Sequence, residues 1–324
     1  MKAVVVHTYD GPEALQIRDV PEPPPRDDAV LIDVRAVGVN FPDLLQTRGL
    51  YQWKPDLPFI LGVEVAGLVR HAPAGSSVAV GDRVAALCLK AGGMAEVVSV
   101  PAECVLPLPP SVSFEAGAGL VVNDLTVLFA LTQRGRLVPG ATVLVHGAAG
   151  GIGTSALRLS RAIGATRIIA VVSSPDKADV AAGAGATDVV LSRDWLAQVQ
   201  KITAGSGVDL VVDPVGGDRF TDSLRSLAPG GTLLVIGFAD GSIPTVKVNR
   251  LLLKNIAVLG VAWGAWVATH PGFLQRQWSE YLRLFDSGRL ELPEPAAEHF
   301  ADVVDALLAL ESRSVRGKVV LSLT

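Results

Sequence analysis

Cysteine is scarce. Cys88 and Cys104 are the two in 324 residues, too few for a disulfide-stapled secreted scaffold, and they read as two reduced thiols. Histidine is equally thin: His7, His71, His146, His270 and His299 lie scattered, with no His/Cys spacing suited to a metal, so no metal site is expected. Lys and Arg form no run, and 28 of them against 32 Asp and Glu leave a net charge of −4. Surfaces that neutralise nucleic acid or anionic lipid need clustered cations, so neither nucleic acid nor a membrane is an expected partner. No basic stripe or aromatic platform suggests RNA binding. Long apolar runs are also missing: stretches such as 251–266 are broken by Lys254, Asn255 and glycines and are too polar to cross a bilayer. The opening Met1–Val6 reads as a strand. It has neither a long apolar h-region nor a small-residue cleavage site, so a cytoplasmic location is expected.

What is present is enough apolar sequence, 49%, for sizeable cores and a length that favours two domains. Residues 1 to about 122 hold short strand-like runs, among them 30–37, 62–69, 82–87 and 96–100. Turn residues punctuate them at Gly11-Pro12, Pro21 to Pro25, Gly75-Ser76, Gly92-Gly93 and Pro107 to Pro110, which predicts an irregular, partly open β-barrel or sandwich. From about 123 to 262, apolar strands alternate with helix-like segments. The strands are expected at 142–146, 167–172, 188–191, 208–213, 232–236 and 256–261. Their few polar residues suit a parallel sheet covered on both faces, hence a doubly wound α/β sheet of six strands. Each gap suits a crossover helix except the last, which reads as a loop around Ile243-Pro244. The remainder, 263–324, has helical spacing at 275–287 and 301–312 and closes on the strand-like 317–321. It is too small to fold alone and is expected to complete the first domain.

The most informative motif is Val143-Leu144-Val145-His146-Gly147-Ala148-Ala149-Gly150-Gly151-Ile152-Gly153, which follows a strand and opens a helix. That context suits a pyrophosphate-binding turn, with Ala149, Gly150, Gly151, Ile152 and Gly153 facing the phosphates through backbone N–H groups and the helix dipole. Ala148 stands where the usual pattern has its first glycine. The end of the second strand selects the dinucleotide. An NAD site places Asp or Glu there for the ribose 2′-hydroxyl; here Ser173-Ser174 stand in that place, with Lys177 close behind. Hydroxyls and a cation accept a 2′-phosphate that a carboxylate would repel, so NADPH is the expected cofactor. Ser174-Pro175 also reads as an N-cap and first helical residue, and Asp176 turned onto the ribose would favour NAD instead.

Together the glycine turn, Ser173 to Lys177, Gly38 to Asp43, Gly49-Leu50-Tyr51, Pro58 to Gly67, Gly81 to Val84, Asp213 to Gly217 and Arg316-Gly317-Lys318 resemble the zinc-free quinone oxidoreductase, zeta-crystallin-like branch of the medium-chain dehydrogenase/reductase superfamily. The resemblance implies a GroES-like β-barrel at 1–122, completed by 263–324, and a Rossmann NADPH-binding domain at 123–262. Zinc-dependent relatives carry cysteine at the position of Asn40 and histidine at that of Val63; a four-cysteine zinc lobe is also absent. The resemblance further implies a metal-free hydride transfer to a quinone or similar electron-poor molecule. Asn40 would lie near nicotinamide and substrate, with Asp43 and Tyr51 lining the same cleft. The Asn40 amide could hydrogen-bond a carbonyl, and Tyr51 could donate to a developing quinol oxygen. Cofactor contacts are expected from Asn40, Thr126, Ser192, Val215, Gly237, Phe238, Val261, Trp263 and Lys318. Ser192 and Leu128 replace tyrosines common among relatives. Glu64 reads as structural. The sixth strand would be a sheet edge available for a homodimer. Two alternatives stay open: an enone, enal or enoyl-thioester reductase acting on C=C, and a non-enzymatic crystallin-like or RNA-binding role.

Overall fold

The structure is a computed structural model that describes residues 1–323. The chain forms two compact units. One holds Met1–Val122, Val267–Ser279 and the chain from Leu292 onward; the other holds Asn123–Trp266 and Glu280–Glu291.

The first unit is built on antiparallel strands: β1 Lys2–Val6, β2 Gln16–Asp19, β3 Ala29–Val39, β4 Phe59–Ile60, β5 Glu64–His71, β6 Arg83–Leu87, β7 Val97–Pro101 and β8 Val105–Pro107. β3 is the hub. It pairs with β5, with β7 and with the tail strand Val319–Ser322. Register shifts near Leu31 and Val34 bend it, as bulges do, so that one strand serves several partners. The pairing Val319↔Val39 brings the end of the chain to the end of β3, beside the short helix α1, Phe41–Thr47. A second helix, α2 Phe114–Leu120, packs on β3 and β5. Its start is held by the Ser113 hydroxyl, which accepts the Ala116 N–H at 3.0 Å, a normal N-cap.

The second unit begins with α3, Asn123–Phe129, and continues into a parallel sheet of β9 Thr142–His146, β10 Arg167–Val172, β11 Asp188–Leu191, β12 Val208–Asp213, β13 Leu227–Val235 and β14 Ala257–Gly260. The spatial order β11-β10-β9-β12-β13-β14 reverses direction between β9 and β12, the switch point where open α/β sheets bind ligands. The crossovers are α4 Gly151–Ile163, α5 Ala178–Gly183, α6 Trp195–Ile202, α7 Phe220–Ser226 and α8 Asn249–Lys254. The last of these corrects the expected loop: a six-residue helix precedes β14, too short to stand out as periodicity. Leu144, Ile169, Val171, Val211 and Leu233 fill the core between sheet and helices.

The tail is divided, which corrects its assignment to the first domain. Trp263–Trp266 and Glu280–Glu291 belong to the second unit. Tyr281 donates its hydroxyl to Asp124 at 2.6 Å, and Arg289 donates to the Ala162 carbonyl at 2.5 Å. Buried polar anchors of this kind leave no mark in helical spacing. An apolar run missed by hydropathy reading spans Phe114–Arg134; an 18-residue window within it has mean hydropathy 1.5 and is 83% buried within the protein, which accounts for its composition.

Candidate functional site

In the second unit the expected cofactor residues gather at the carboxyl edge of the sheet. β9 leads into a turn in which Gly147 takes φ +57° and Gly150 caps α4 with no side-chain hydrogen bond. The first turn of α4 contains no acid, so its unpaired N–H groups and positive dipole end are left for an anion. A Cβ on Gly153 would fall 2.2 Å from the Gly147 carbonyl oxygen, whereas one on Gly150 would find nothing nearer than that oxygen at 3.4 Å. Gly153 thus seals the helix against the turn, and Gly150 keeps its outer face bare. Both features fit a bound pyrophosphate.

The neighbouring strand ends are stitched to this turn. Ala148 N–H donates to the Val171 carbonyl at 3.2 Å, and Ser192 N–H donates to the Val172 carbonyl at 2.8 Å. Ser173 is exposed, and Ser174, Lys177 and Ser192 are half-buried around the ends of β10 and β11. Arg193, exposed in the same bend, was not singled out from sequence, because its relevance depends on β11 lying beside β10. On the other side, Asp213 Oδ1 accepts the N–H groups of Val215 and Gly216, each at 2.9 Å. Val215 is half-buried, as is Gly237, while Phe238 is partly exposed. Val261 and Trp263 are buried beyond the end of β14. Thr126 is buried in α3, which packs against α4.

In the first unit a buried polar cluster surrounds the start of α1. Asn40 caps that helix and is 3% exposed; Asp43 and Glu64 are fully buried. Asp43 Oδ2 accepts the Asn40 N–H at 2.8 Å, which fixes Asp43 as the third residue of the helix rather than its cap. The Asn40 side chain donates to the Gly38 carbonyl at 3.2 Å and to Glu64 Oε1 at 2.9 Å, and its Oδ1 accepts from Lys318 Nζ at 2.6 Å. Lys318 also donates to Glu64 Oε1, and Glu64 Oε2 accepts the Val122 N–H at 2.7 Å. Two acceptors and one donor therefore set which end of the Asn40 amide is which. This corrects the expected chemistry: both amide hydrogens point into the protein, so Asn40 has a lone pair of Oδ1 to offer a ligand and no hydrogen for a carbonyl. Gly38 makes the cluster possible, since a Cβ there would fall 2.3 Å from Glu64 Oε1. The structure thus brings Asn40, Asp43 and Lys318 together. Tyr51 is half-buried, its hydroxyl raised in pKa by burial and by the charge of nearby Asp43.

Burial pushes the Asp43 carboxyl up to about 7, against the opposing pull of the Asn40 N–H and the Lys318 charge. In the unfolded chain it titrates near ~4. The folded protein therefore holds more protons than the unfolded chain between those values, and stability falls as pH rises through the window. Asp43→Asn should remove this slope, read as the difference between variant and parent melting temperatures over roughly pH 5 to 8. A difference that does not change with pH would reassign the titration. His146, held near 4 by burial, gives a slope of opposite sign present in both proteins and cancels in the comparison.

Among the described residues, no three His, Cys, Asp or Glu side chains are grouped so as to hold a metal ion. Residues 26–110 match the alcohol dehydrogenase GroES-like domain and 151–287 the domain described as zinc-binding dehydrogenase. The quinone oxidoreductase-like protein 2 of Rattus norvegicus is 37% identical over 96% of this chain and 89% of its own length. The crystal structure of Escherichia coli quinone oxidoreductase complexed with NADPH superposes with a TM-score of 0.90 at 30% identity, covering 99% of this chain and 100% of that one. The CurK enoyl reductase structure superposes with a TM-score of 0.88 at 27% identity, over 99% and 98%. A GroES-like unit, a six-stranded Rossmann unit, asparagine and valine where zinc-dependent relatives keep their ligands, and this sequence identity lead to one assignment: the chain belongs to the zinc-free quinone oxidoreductase branch of the medium-chain dehydrogenase/reductase superfamily.

Proposed function

We propose that the protein is an NADPH-dependent oxidoreductase that passes hydride to a quinone or similarly electron-poor carbonyl compound without a metal. The observation that carries this reading is the acid-free, uncapped start of α4 beside two serines at the end of β10. A dinucleotide pyrophosphate suits the first and a 2′-phosphate the second. Relatives named quinone oxidoreductase, one solved with NADPH, support it.

When bound, the nicotinamide supplies the hydride. The residues of the chain bind, orient and exclude water. Ala149 to Gly153 hold the pyrophosphate through backbone N–H groups. Ser173, Ser174, Lys177 and Ser192 meet the adenosine end, with Arg193 as a second cation. Val215, Gly237, Phe238, Val261, Trp263 and Thr126 form walls for the nicotinamide end. Asn40 and Lys318 offer it an acceptor and a cation, and Tyr51 lies toward the substrate; Asp43, fully buried, lines no cleft, contrary to the expectation from sequence, and acts on Tyr51 through its charge. The Tyr51 hydroxyl is the proton donor for the reduced oxygen.

Lys177→Ala should weaken NADPH about 10- to 100-fold, the effect of one charge-assisted contact, and leave NADH within twofold. Isothermal titration with both cofactors checks it; equal losses would remove Lys177 from the 2′-phosphate site. A second reading, reduction of C=C in enones or enoyl thioesters, is favoured by the similarity to an enoyl reductase. A panel of quinones and enones followed at the cofactor absorbance decides between them.

The proposal extends to a homodimer acting in the cytoplasm. β14 ends the sheet, and in the segment that leads into it Ile243, Val248, Leu252 and Leu253 are 72–77% exposed. An open strand edge and a run of exposed aliphatics are surfaces a second copy would cover. Both cysteines are free and buried, as suits a reducing compartment.

A further inference from the structure

We propose that Glu64 is a positioning residue: its carboxylate orients the Asn40 amide and the Lys318 ammonium as one unit, so that the pair presents an acceptor and a cation to the nicotinamide half of the cofactor. This rests on the proposed function, in which Asn40 meets that half.

Three donors converge on Glu64: Asn40 Nδ2 at 2.9 Å, Val122 N–H at 2.7 Å and Lys318 Nζ. Its charge lies in a fully buried site, and the Lys318 side chain is 7% exposed. A buried carboxylate is retained where donors and a counter-charge satisfy it. The consequence reaches past stability. Because Glu64 accepts from Asn40 Nδ2 and Lys318 donates to Asn40 Oδ1, a flip of the amide would set donor against donor and acceptor against acceptor. Asn40 is thereby locked with Oδ1 turned to the lysine and one lone pair to spare. Lys318 uses two ammonium hydrogens on Asn40 and Glu64; an ammonium has three. The ligand group that fits beside the spare lone pair is an N–H donor, as the nicotinamide carboxamide is. The residues involved are far apart in sequence, 24 positions from Asn40 to Glu64 and 254 from Glu64 to Lys318, so nothing local fixes the geometry.

Glutamine is the sharpest replacement because it keeps the shape and offers one acceptor oxygen. In Glu64→Gln, either Val122 or Asn40 must face an NH2 group. Binding is measured by titration with NADPH and with 2′,5′-ADP, which carries the 2′-phosphate end and no nicotinamide. The expected result for Glu64→Gln is a Kd for NADPH raised roughly 10-fold or more with that for 2′,5′-ADP unchanged within about twofold. The variant Asn40→Asp combined with Glu64→Gln restores the link between the two side chains: the introduced glutamine accepts from Val122 and donates to the introduced aspartate, which accepts from Lys318, while the Gly38 carbonyl loses its donor and Lys318 loses its second acceptor. Its ratio of the two Kd values should return toward the parent value, and Asn40→Asp alone should not. If Glu64→Gln fails to fold, the comparison between Asn40→Asp and the double variant carries the same test. Equal losses for both ligands, or a double variant no better than either single one, would overturn the positioning role. Failure of the parent protein to bind NADPH would instead overturn the proposed function.

Discussion

Gly150→Ala is expected to leave the fold intact and to remove most dinucleotide affinity, whereas Gly153→Ala is expected to damage both. At Gly150 the backbone has φ −88° and ψ 179°, a conformation alanine adopts without strain. A methyl group there meets nothing closer than the Gly147 oxygen at 3.4 Å. The free protein has room for it. A pyrophosphate seated on the start of α4 does not, because the methyl occupies the approach to the N–H groups. The expected loss is on the order of 100-fold in Kd for NADPH, with the melting temperature shifted by no more than ~2 °C. At Gly153 a methyl would stand 2.2 Å from the Gly147 oxygen and 2.6 Å from the Ala148 Cα. Both are backbone atoms that cannot rotate away, so the turn itself must move, at about 1–3 kcal/mol or more. Titration and thermal melting on the same two variants separate the outcomes. An unchanged Kd in Gly150→Ala would remove the phosphate from this turn.

Asp124→Ala is expected to cost about 3–5 kcal/mol of stability in the second unit, the range for stripping one partner from a buried ion pair. Asp124 is 1% exposed. Its Oδ1 accepts from Ser155 Oγ and from Arg158 Nη2 at 3.0 Å, and its Oδ2 accepts from Tyr281 Oη at 2.6 Å. Removing the carboxylate strands the Arg158 charge, whose side chain is 13% exposed, and releases the hydroxyl that fastens Glu280–Glu291. Tyr281→Phe deletes one of these bonds and should cost about 1.5–3 kcal/mol. Hydrogen exchange gives the local readout: amides of 280–291 should lose protection in both variants ahead of those in the sheet. Protection equal to the parent would show that other contacts hold the segment.

The six parallel strands were legible because each is a short apolar run between turn residues, and burial on both faces of a sheet requires such runs. β9 to β12 fall on the expected residues; β13 starts earlier, at Leu227. There the pairing slips between Val208↔Leu227 and Leu210↔Thr232, and Pro229, Gly230 and Gly231 disguise the strand. The dinucleotide turn was legible for the same local reason. Its chemistry is backbone N–H groups, a helix start and residues without side chains, all contiguous in sequence.

Residues 1–324 by themselves therefore determined the sheet, the turn at its switch point, and the hydroxyls in place of an acid after the second strand. What tertiary structure decided was everything that depends on neighbours brought from afar: the orientation of the Asn40 amide between Glu64 and Lys318, the burial that lifts the Asp43 carboxyl, the fastening of Tyr281 to Asp124, and the placing of the end of β11 beside the end of β10. A hydrogen bond between distant residues leaves no period in the chain. The direction in which a buried side chain points is set by the groups that surround it, not by the residues beside it in sequence.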